Sequence, residues 1–415
     1  MTSTADRGVE EVVRTSYGRL VALLAARTRD LAAAEDALSD ALVAALRSWP
    51  ERGVPDSPEA WMLTAARRAM IGAHRRRDTA ERAAPALAML ADELGDAPTS
   101  AFPDRRLELL FACTHPALAP EIRAPLMLQA VLGLDAARIA AAFLVKPATL
   151  GQQLVRAKQR IASTGIPYRV PEPAELPERL GFVLDAIYAA YGTGWDDLSG
   201  TDAKRADLAD EAVHLAVCVA ELLPGEAEAH GLAALVLHSR ARVAARLAPD
   251  GRFVPLAEQD VMRWSRDDIE RGERHLARAL DLRVVGPYQL MAAIQSVHNR
   301  RAATGATDWA AITALHDGLH RLAPSIGGSV ARAAAQLHAT GPGAAEAALG
   351  DIDPATCDAY QPYWVVRAEI ALARNDIEAA AAAFDNAIAL TTDPATRRHL
   401  RARSRSSSYV TRPLA

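Results

Sequence analysis

Apolar residues recur with helical spacing along most of the chain, and the alternating or continuous apolar runs typical of β-strands are nearly absent. The segment 30–46 is one example, since its apolar residues follow the three- and four-residue spacing that defines one face of a helix: Leu31, Ala34, Leu38, Leu42 and Leu46. Aromatic residues make up only 5% of the chain, which also disfavours a sheet. The pattern therefore predicts an all-α fold.

Residues 135–161 predict two helices joined by a short turn. Pro147 and Thr149 restart the helical pattern after a three-residue turn at 144–146. The second helix directs four apolar side chains inward: Leu150, Leu154, Ala157 and Ile161. Its outward face carries amides and cations, which suit a DNA major groove. A pair of amphipathic helices with a solvated face explains the segment equally well.

Upstream lies a helix candidate with a basic face, residues 58–77. Between Trp61 and Arg82 the chain carries six arginines against Asp78 and Glu81, although its overall net charge is −4. A cationic stripe on a mildly acidic protein is typical of a surface that binds the phosphate backbone. The alternative is a solvated helix face.

The preceding helix candidate, residues 30–46, has an acidic face with Asp30, Glu35, Asp36 and Asp40. These carboxylates are compatible with a metal site or an acid/base pair. No His or Cys accompanies them in residues 1–73, so the pattern favours a protein contact or a solvated face.

In this order, the acidic helix, loop, basic helix and helix-turn-helix resemble a bacterial sigma factor of the sigma-70 type. The resemblance is to the extracytoplasmic-function class, which keeps only the second and fourth conserved regions. It covers residues 9–165 and is carried by AEDALSDAL, PEAWMLTAARR and ARIAAAFLVKPATLGQQLVRAK. The segments 111–134 and 163–180 resemble the sub-group with a long C-terminal helical extension. The resemblance implies that the protein binds core RNA polymerase, recognises the −35 and −10 promoter elements and melts promoter DNA.

The resemblance also implies roles for individual residues. Four residues fall where the family docks on polymerase: Asp36, Leu38, Asp40 and Leu42. Six fall on the helix that engages the −10 element: Trp61, Arg67, Arg68, Arg75, Arg76 and Arg77. The loop from Pro50 to Ser57, including Asp56, falls where the family holds a flipped base, whose capture offsets the cost of unstacking. Five fall on the −35 recognition helix: Thr149, Gln152, Gln153, Arg156 and Lys158.

The predicted organisation has six parts. They are sigma region 2 (9–82), a flexible linker (83–103), sigma region 4 (104–165), a proline-rich arm (166–179), a helical-repeat-like extension (180–400) and a disordered tail (401–415). Within the extension, residues 363–390 resemble a tetratricopeptide unit, with small and large packing residues at Trp364, Ala368, Ala371, Ala380, Phe384 and Ala387. The candidate neighbouring repeats are irregularly spaced.

Charge suggests how the extension acts. Residues after 165 carry 26 Lys and Arg against 32 Asp and Glu, whereas residues 1–165 carry 21 against 19. This asymmetry disfavours DNA binding by the extension, and it favours a regulatory protein partner or folding back onto the basic sigma regions.

Other functions are not supported by the sequence. His214 and Cys218 lie four residues apart, but no nearby third ligand completes a metal site, and no catalytic constellation is recognisable. We therefore predict no metal, no cofactor and no enzymatic activity.

The three cysteines are far apart, and neither a signal arrangement nor a membrane-length apolar stretch is present, which predicts a cytoplasmic protein without membrane association. Two alternatives stay open, a helix-turn-helix regulator with a helical sensor domain and a degenerate sigma-like scaffold.

Overall fold

The fold, given by a computed structural model, is all-α, as the hydrophobic pattern predicts. The structure describes residues 4–28, 31–78, 104–143, 145–164, 171–195, 203–350 and 352–409. Within these ranges there is no β-strand, and one isolated antiparallel bridge joins Leu247 to Phe253. None of the helices described combines the length and apolar character needed to cross a membrane.

The chain divides into two compact units, one of residues 1–194 and 207–222 and the other of residues 195–206 and 223–415. The helices of the first unit are α1 Thr4–Thr28, α2 Leu31–Arg52, α3 Pro58–Asp78, α4 Arg105–Ala112, α5 Pro120–Ala130, α6 Ala136–Ala142, α7 Pro147–Thr164, α8 Leu176–Trp195 and α9 Ala203–Leu222. The helices of the second unit are α10 Ala227–Arg240, α11 Arg266–Asp281, α12 Pro287–Asn299, α13 Arg301–Thr304, α14 Trp309–Leu322, α15 Ile326–Ala339, α16 Pro342–Gly350, α17 Pro354–Cys357, α18 Gln361–Ala373, α19 Ile377–Leu390 and α20 Pro394–Tyr409.

The centre of the first unit is α4, which is buried on every side. Four of its eight residues have no exposed surface: Leu107, Leu109, Leu110 and Phe111. Because these positions point in several directions around a helix, α4 needs neighbours on all faces. Helix α1 packs against it, and Arg106 forms ion pairs with Asp104 and with Glu211 of α9.

Two helices that the sequence assigns to the extension thus belong to the first unit. Besides Glu211 of α9, Phe182 of α8 lies beneath the Arg123 guanidinium, whose central carbon is 4.4 Å from the ring centroid. The predicted start of the extension at residue 180 falls inside α8.

The second unit is built from packed helix pairs. Helix α10 is its most enclosed element, since residues Ala227 and 229–239 are all buried, and α11 and α12 pack against it. The predicted tetratricopeptide segment forms the hairpin of α18 and α19, whose turn places Asn375 at a φ of 60°. Ala368, Phe384 and Ala387 pack there with Leu400 of α20.

Two predicted boundary segments differ from the structure. Residues 401–409, predicted to be disordered, continue α20, because Leu400 anchors the helix in the core and Arg403 forms an ion pair with Glu369. The predicted proline-rich arm is helical at its end, because Pro173–Glu175 forms a 3₁₀ turn and α8 begins at Leu176. The linker 83–103, and tail residues 410–415, lie outside the described residues.

Glu228 of α10 holds the start of α12. Its carboxylate accepts hydrogen bonds from the backbone N–H groups of Tyr288 (2.9 Å) and Gln289 (3.1 Å), and from the Gln289 side chain (3.2 Å). Gly286 lies against this carboxylate, where a Cβ atom would overlap it. A carboxylate in this position satisfies helix donors that otherwise lack partners and interacts favourably with the helix dipole.

Substitution of Glu228 by Ala should lower the free energy of unfolding by about 1–2 kcal/mol, because it leaves buried donors without an acceptor. Urea unfolding monitored by circular dichroism measures the change. Glu270→Ala, which removes an exposed carboxylate of α11, is the matched control and should have little effect. Equal stability of the two variants would show that the Glu228 contacts do not stabilise the fold.

Candidate nucleic-acid interface

Two tryptophans join α2 to α3. Trp49 is 3% exposed, and its ring packs edge to face on Trp61, with the ring centroids 5.4 Å apart. Trp61 keeps part of its surface exposed, whereas Met62 and Ala66 on the same helix are fully buried. Trp61, assigned by sequence to the −10 helix, thus anchors α3 and also contributes to the surface.

Two side chains of the arginine stripe, Arg67 and Arg68, lie in the described part of α3. Arg67 is half-buried, whereas Arg68 is exposed to solvent. Helix α3 continues through Arg75, Arg76 and Arg77 to Asp78, but the side chains of these three arginines lie outside the described part of the structure.

The loop between α2 and α3 comprises residues 53–57. Gly53 has a φ of +80°, a left-handed conformation that glycine adopts without steric cost. Asp56 and Ser57 are exposed, and the Ser57 carbonyl accepts a hydrogen bond from the Trp61 backbone N–H at 3.1 Å. Both loop candidates are therefore exposed directly before α3, and the Ser57 carbonyl takes part in the first turn of that helix.

The acidic face of α2 is partly as predicted. Asp36 and Asp40 are exposed and Leu42 is half-buried, but Leu38 is only 1% exposed. Leu38 is therefore a core residue that supports the face and does not itself reach a partner.

Helix α2 also exposes two apolar side chains that the sequence pattern does not predict to be exposed. Val43 and Leu46 are 47% and 45% exposed, although Leu46 was predicted to lie on the buried face. The buried stripe of α2 is formed instead by Leu31, Ala34, Ala37, Leu38, Ala41, Ala45 and Trp49. The surface of α2 is thus acidic and apolar together, a combination suited to a protein partner. We call Asp36, Asp40, Val43 and Leu46 the α2 face.

The predicted helix-turn-helix segment contains the two helices α6 and α7. Of its predicted inward residues, Leu150, Leu154 and Ala157 are buried and Ile161 is half-buried. Four of the predicted −35 contacts are exposed: Thr149, Gln152, Gln153 and Arg156. Lys158 differs, because its ammonium group is bonded to Glu35 of α2.

Histidine and cysteine side chains have local partners in both units. His214 of α9 lies 3.4 Å from the Asp104 carboxylate and 3.6 Å from the Cys218 sulfur, and His230 lies 3.0 Å from His275. Burial lowers the pKa of His238 to about 4, so it is neutral near pH 7. No group of three or more potential metal ligands occurs in the described ranges.

Two family models match parts of the chain. Sigma-70 region 2 matches residues 12–79, and a family of unknown function (DUF6596) matches residues 179–280. An uncharacterized protein of Rhizobium meliloti (strain 1021) is 36% identical over 382 residues, covering 90% of this chain and 89% of that protein. No solved structure matches.

The sigma-70 region 2 match spans most of α1 and the whole of α2 and α3, which carry the Trp61 surface and the α2 face. It implies a sigma factor, which binds core RNA polymerase and recognises the −10 promoter element without being an enzyme itself.

Proposed function

The chain belongs to one family with the uncharacterized Rhizobium meliloti protein, and we propose that it is an alternative sigma factor of the extracytoplasmic-function class. In this proposal α1–α3 form region 2, α4–α7 form region 4, α8 and α9 support region 4, and the helices of the second unit regulate the sigma regions. The observation that carries the proposal is the sigma-70 region 2 match, which coincides with the exposed loop, Trp61 and Arg68.

For region 2 we propose two surfaces. The α2 face binds core polymerase through two carboxylates and two apolar side chains. The second surface comprises Trp61, Arg67, Arg68, Asp56 and Ser57, and it holds the melted −10 element. Separating the strands costs a few kcal/mol per unstacked base. Stacking and phosphate contacts to the separated strand offset that cost.

For region 4 we propose −35 recognition by α7. Thr149, Gln152, Gln153 and Arg156 are exposed along its first half, where a recognition helix presents side chains to base edges and phosphates. Amides can form paired hydrogen bonds with adenine, and Arg156 can contact a phosphate or guanine.

The proposal is tested by transcription of fragmented genomic DNA of the source organism with core polymerase alone and with added protein, followed by mapping of RNA 5′ ends. A sigma factor should create new, discrete start sites. A repressor or activator would bind duplex DNA without polymerase and create none, and a scaffold would do neither. Absence of protein-dependent start sites would contradict the sigma-factor assignment.

Replacing both Arg67 and Arg68 by Ala should reduce open-complex formation about tenfold or more at low salt, since each removes a cation from the single-strand surface. The deficit relative to the parent should shrink as salt rises, because phosphate contacts act through counterion release. Permanganate footprinting of a promoter mapped as above provides the measurement. Arg266→Ala with Arg321→Ala, which removes two exposed arginines of the second unit, is the control. Normal melting by the Arg67 and Arg68 variant would mean that these two side chains do not contact the separated strand.

The balance of acidic and basic residues differs between two parts of the predicted extension. Residues 166–222 carry 4 Lys and Arg against 11 Asp and Glu, whereas residues 223–415 carry 22 against 21. The acidic excess therefore lies in the part that includes α8 and α9, where Glu211 pairs with Arg106 of α4. We propose that α8 and α9 stabilise region 4, and that the second unit regulates the sigma regions, with its helix pairs as a candidate surface for a regulatory protein.

A further inference from the structure

The last helix of the second unit, α20, concentrates basic charge. Residues 394–409 contain five arginines and no aspartate or glutamate. The other residues of 223–415 carry 17 Lys and Arg against 21 Asp and Glu. The acidic character that disfavours DNA binding by the extension therefore does not include this helix.

Three of these arginines form one exposed face. Arg398, Arg401 and Arg405 follow one another at intervals of three and four residues, so they lie within about 60° of each other around the helix. Leu400 is buried on another side of α20, among residues of α18 and α19. Along the helix the three arginines span about 10 Å, which is about the axial rise of three nucleotides in one strand of duplex DNA. We call Arg398, Arg401 and Arg405 the α20 face.

The α20 face keeps its positive charge. In the part of the chain that the structure describes, no carboxylate pairs with its three arginines, whereas Arg403 of the same helix forms an ion pair with Glu369. Arg398 donates a hydrogen bond to the Gly251 carbonyl at 3.1 Å, and the His399 ring lies edge to face on Phe253. These contacts hold α20 against the segment around Gly251 without neutralising the arginine, because a carbonyl carries no net charge.

The composition of the α20 face favours a phosphate backbone over a protein partner. None of the described side chains of α20 is a large apolar group exposed to solvent, whereas the centre of a protein interface is largely apolar. The α2 face has such an apolar part in Val43 and Leu46. Arginines without apolar neighbours are typical of surfaces that contact DNA phosphates independently of base sequence.

We propose that the α20 face binds the phosphate backbone of duplex DNA, in addition to the surfaces proposed for the −10 and −35 elements. This inference rests on the proposed function for the choice of DNA over other polyanions, because a promoter-binding protein holds its second unit near duplex DNA. The contact adds affinity but no sequence specificity, since phosphates carry no information about the bases.

Replacing Arg398, Arg401 and Arg405 together by Gln in the full chain tests the proposal. The probe is a fluorescein-labelled duplex of random sequence without polymerase, and fluorescence anisotropy measures its affinity between about 50 and 200 mM salt. Loss of three phosphate contacts should lower the affinity at least about tenfold at the lowest salt. It should also reduce the slope of log affinity against log salt by about 3.

Two further variants are the controls. Arg401→Gln with Arg405→Gln keeps the hydrogen bond from Arg398 to Gly251, and should reduce the salt slope by about 2. Arg266→Gln with Arg274→Gln and Arg321→Gln makes the same charge change as the triple variant on exposed positions of α11 and α14. This matched control should keep the parental affinity within about twofold. Thermal unfolding monitored by circular dichroism checks that every variant is folded.

The outcomes distinguish this inference from the proposed function. Equal losses in the two triple variants would show an effect of overall charge, and no loss in either would show that the α20 face does not bind DNA; both results overturn the proposal. Normal duplex binding by the α20 variant with loss of transcription would also overturn it, in favour of an acidic protein partner. Failure of the sigma-factor proposal would appear instead as absence of protein-dependent start sites with the parent chain, whatever the duplex affinities.

Discussion

A chain that ends at Thr164 should lose cooperative thermal unfolding, whereas a chain that ends at Leu222 should keep it. Both contain every predicted sigma motif, and they differ by a segment that includes α8 and α9. The shorter chain lacks Glu211, the partner of Arg106, and Phe182, which packs on Arg123. It would also expose apolar surface of the first unit, and each large apolar side chain uncovered costs about 1.5–3 kcal/mol.

Differential scanning calorimetry of the two truncated chains measures the difference. Because a domain is stable by only about 5–15 kcal/mol, loss of a few covered side chains should abolish the transition of the shorter chain. Equal transitions in both chains would show that α8 and α9 are dispensable and that region 4 folds without them.

The chain ending at Leu222 also tests the second unit. We propose that the regulation by residues 223–415 is positive, and we therefore expect this truncated chain to bind polymerase but to transcribe more weakly than the full chain at equal soluble concentration. Higher transcription by the truncated chain would indicate inhibition by the second unit. Equal transcription would exclude both roles.

Local periodicity predicts much of the fold, as α7 illustrates. Leu150, Leu154 and Ala157 are buried as predicted because the helical repeat alone defines that face. The partner of Lys158 could not be predicted, since Glu35 lies 123 residues away and nothing in either segment specifies that they meet.

Helix α2 shows why a predicted face can be rotated. Its sequence offers leucine at 31, 38, 42 and 46, which suggests a leucine stripe. The structure buries Leu31, Ala34 and Leu38 as predicted, but the buried stripe continues through Ala37, Ala41 and Ala45, which leaves Leu46 exposed. In an alanine-rich chain the closest helix contacts can form at alanine, so apolar periodicity leaves more than one face available for burial.

The α2 face should be sensitive to charge. Asp36→Arg combined with Asp40→Arg should weaken binding to core polymerase about thirtyfold or more, because a complementary basic surface would then meet two cations. The reversal also places long side chains beside Val43 and Leu46, and so disturbs the apolar part of the same contact. Both aspartates are exposed, so the free energy of unfolding should change by no more than about 0.5 kcal/mol.

Biolayer interferometry with immobilised core polymerase measures the affinity. Asp281→Arg combined with Asp385→Arg makes the same charge change on exposed positions of the second unit and should bind normally. If both double variants weaken binding alike, the effect is one of overall charge. If neither does, the α2 face is not the polymerase contact, although the sigma-70 region 2 match would still require one elsewhere on α1–α3. Selective loss in the Asp36 and Asp40 variant would establish that the exposed aspartates of α2, which the resemblance identified and the structure leaves accessible beside Val43 and Leu46, form the docking surface.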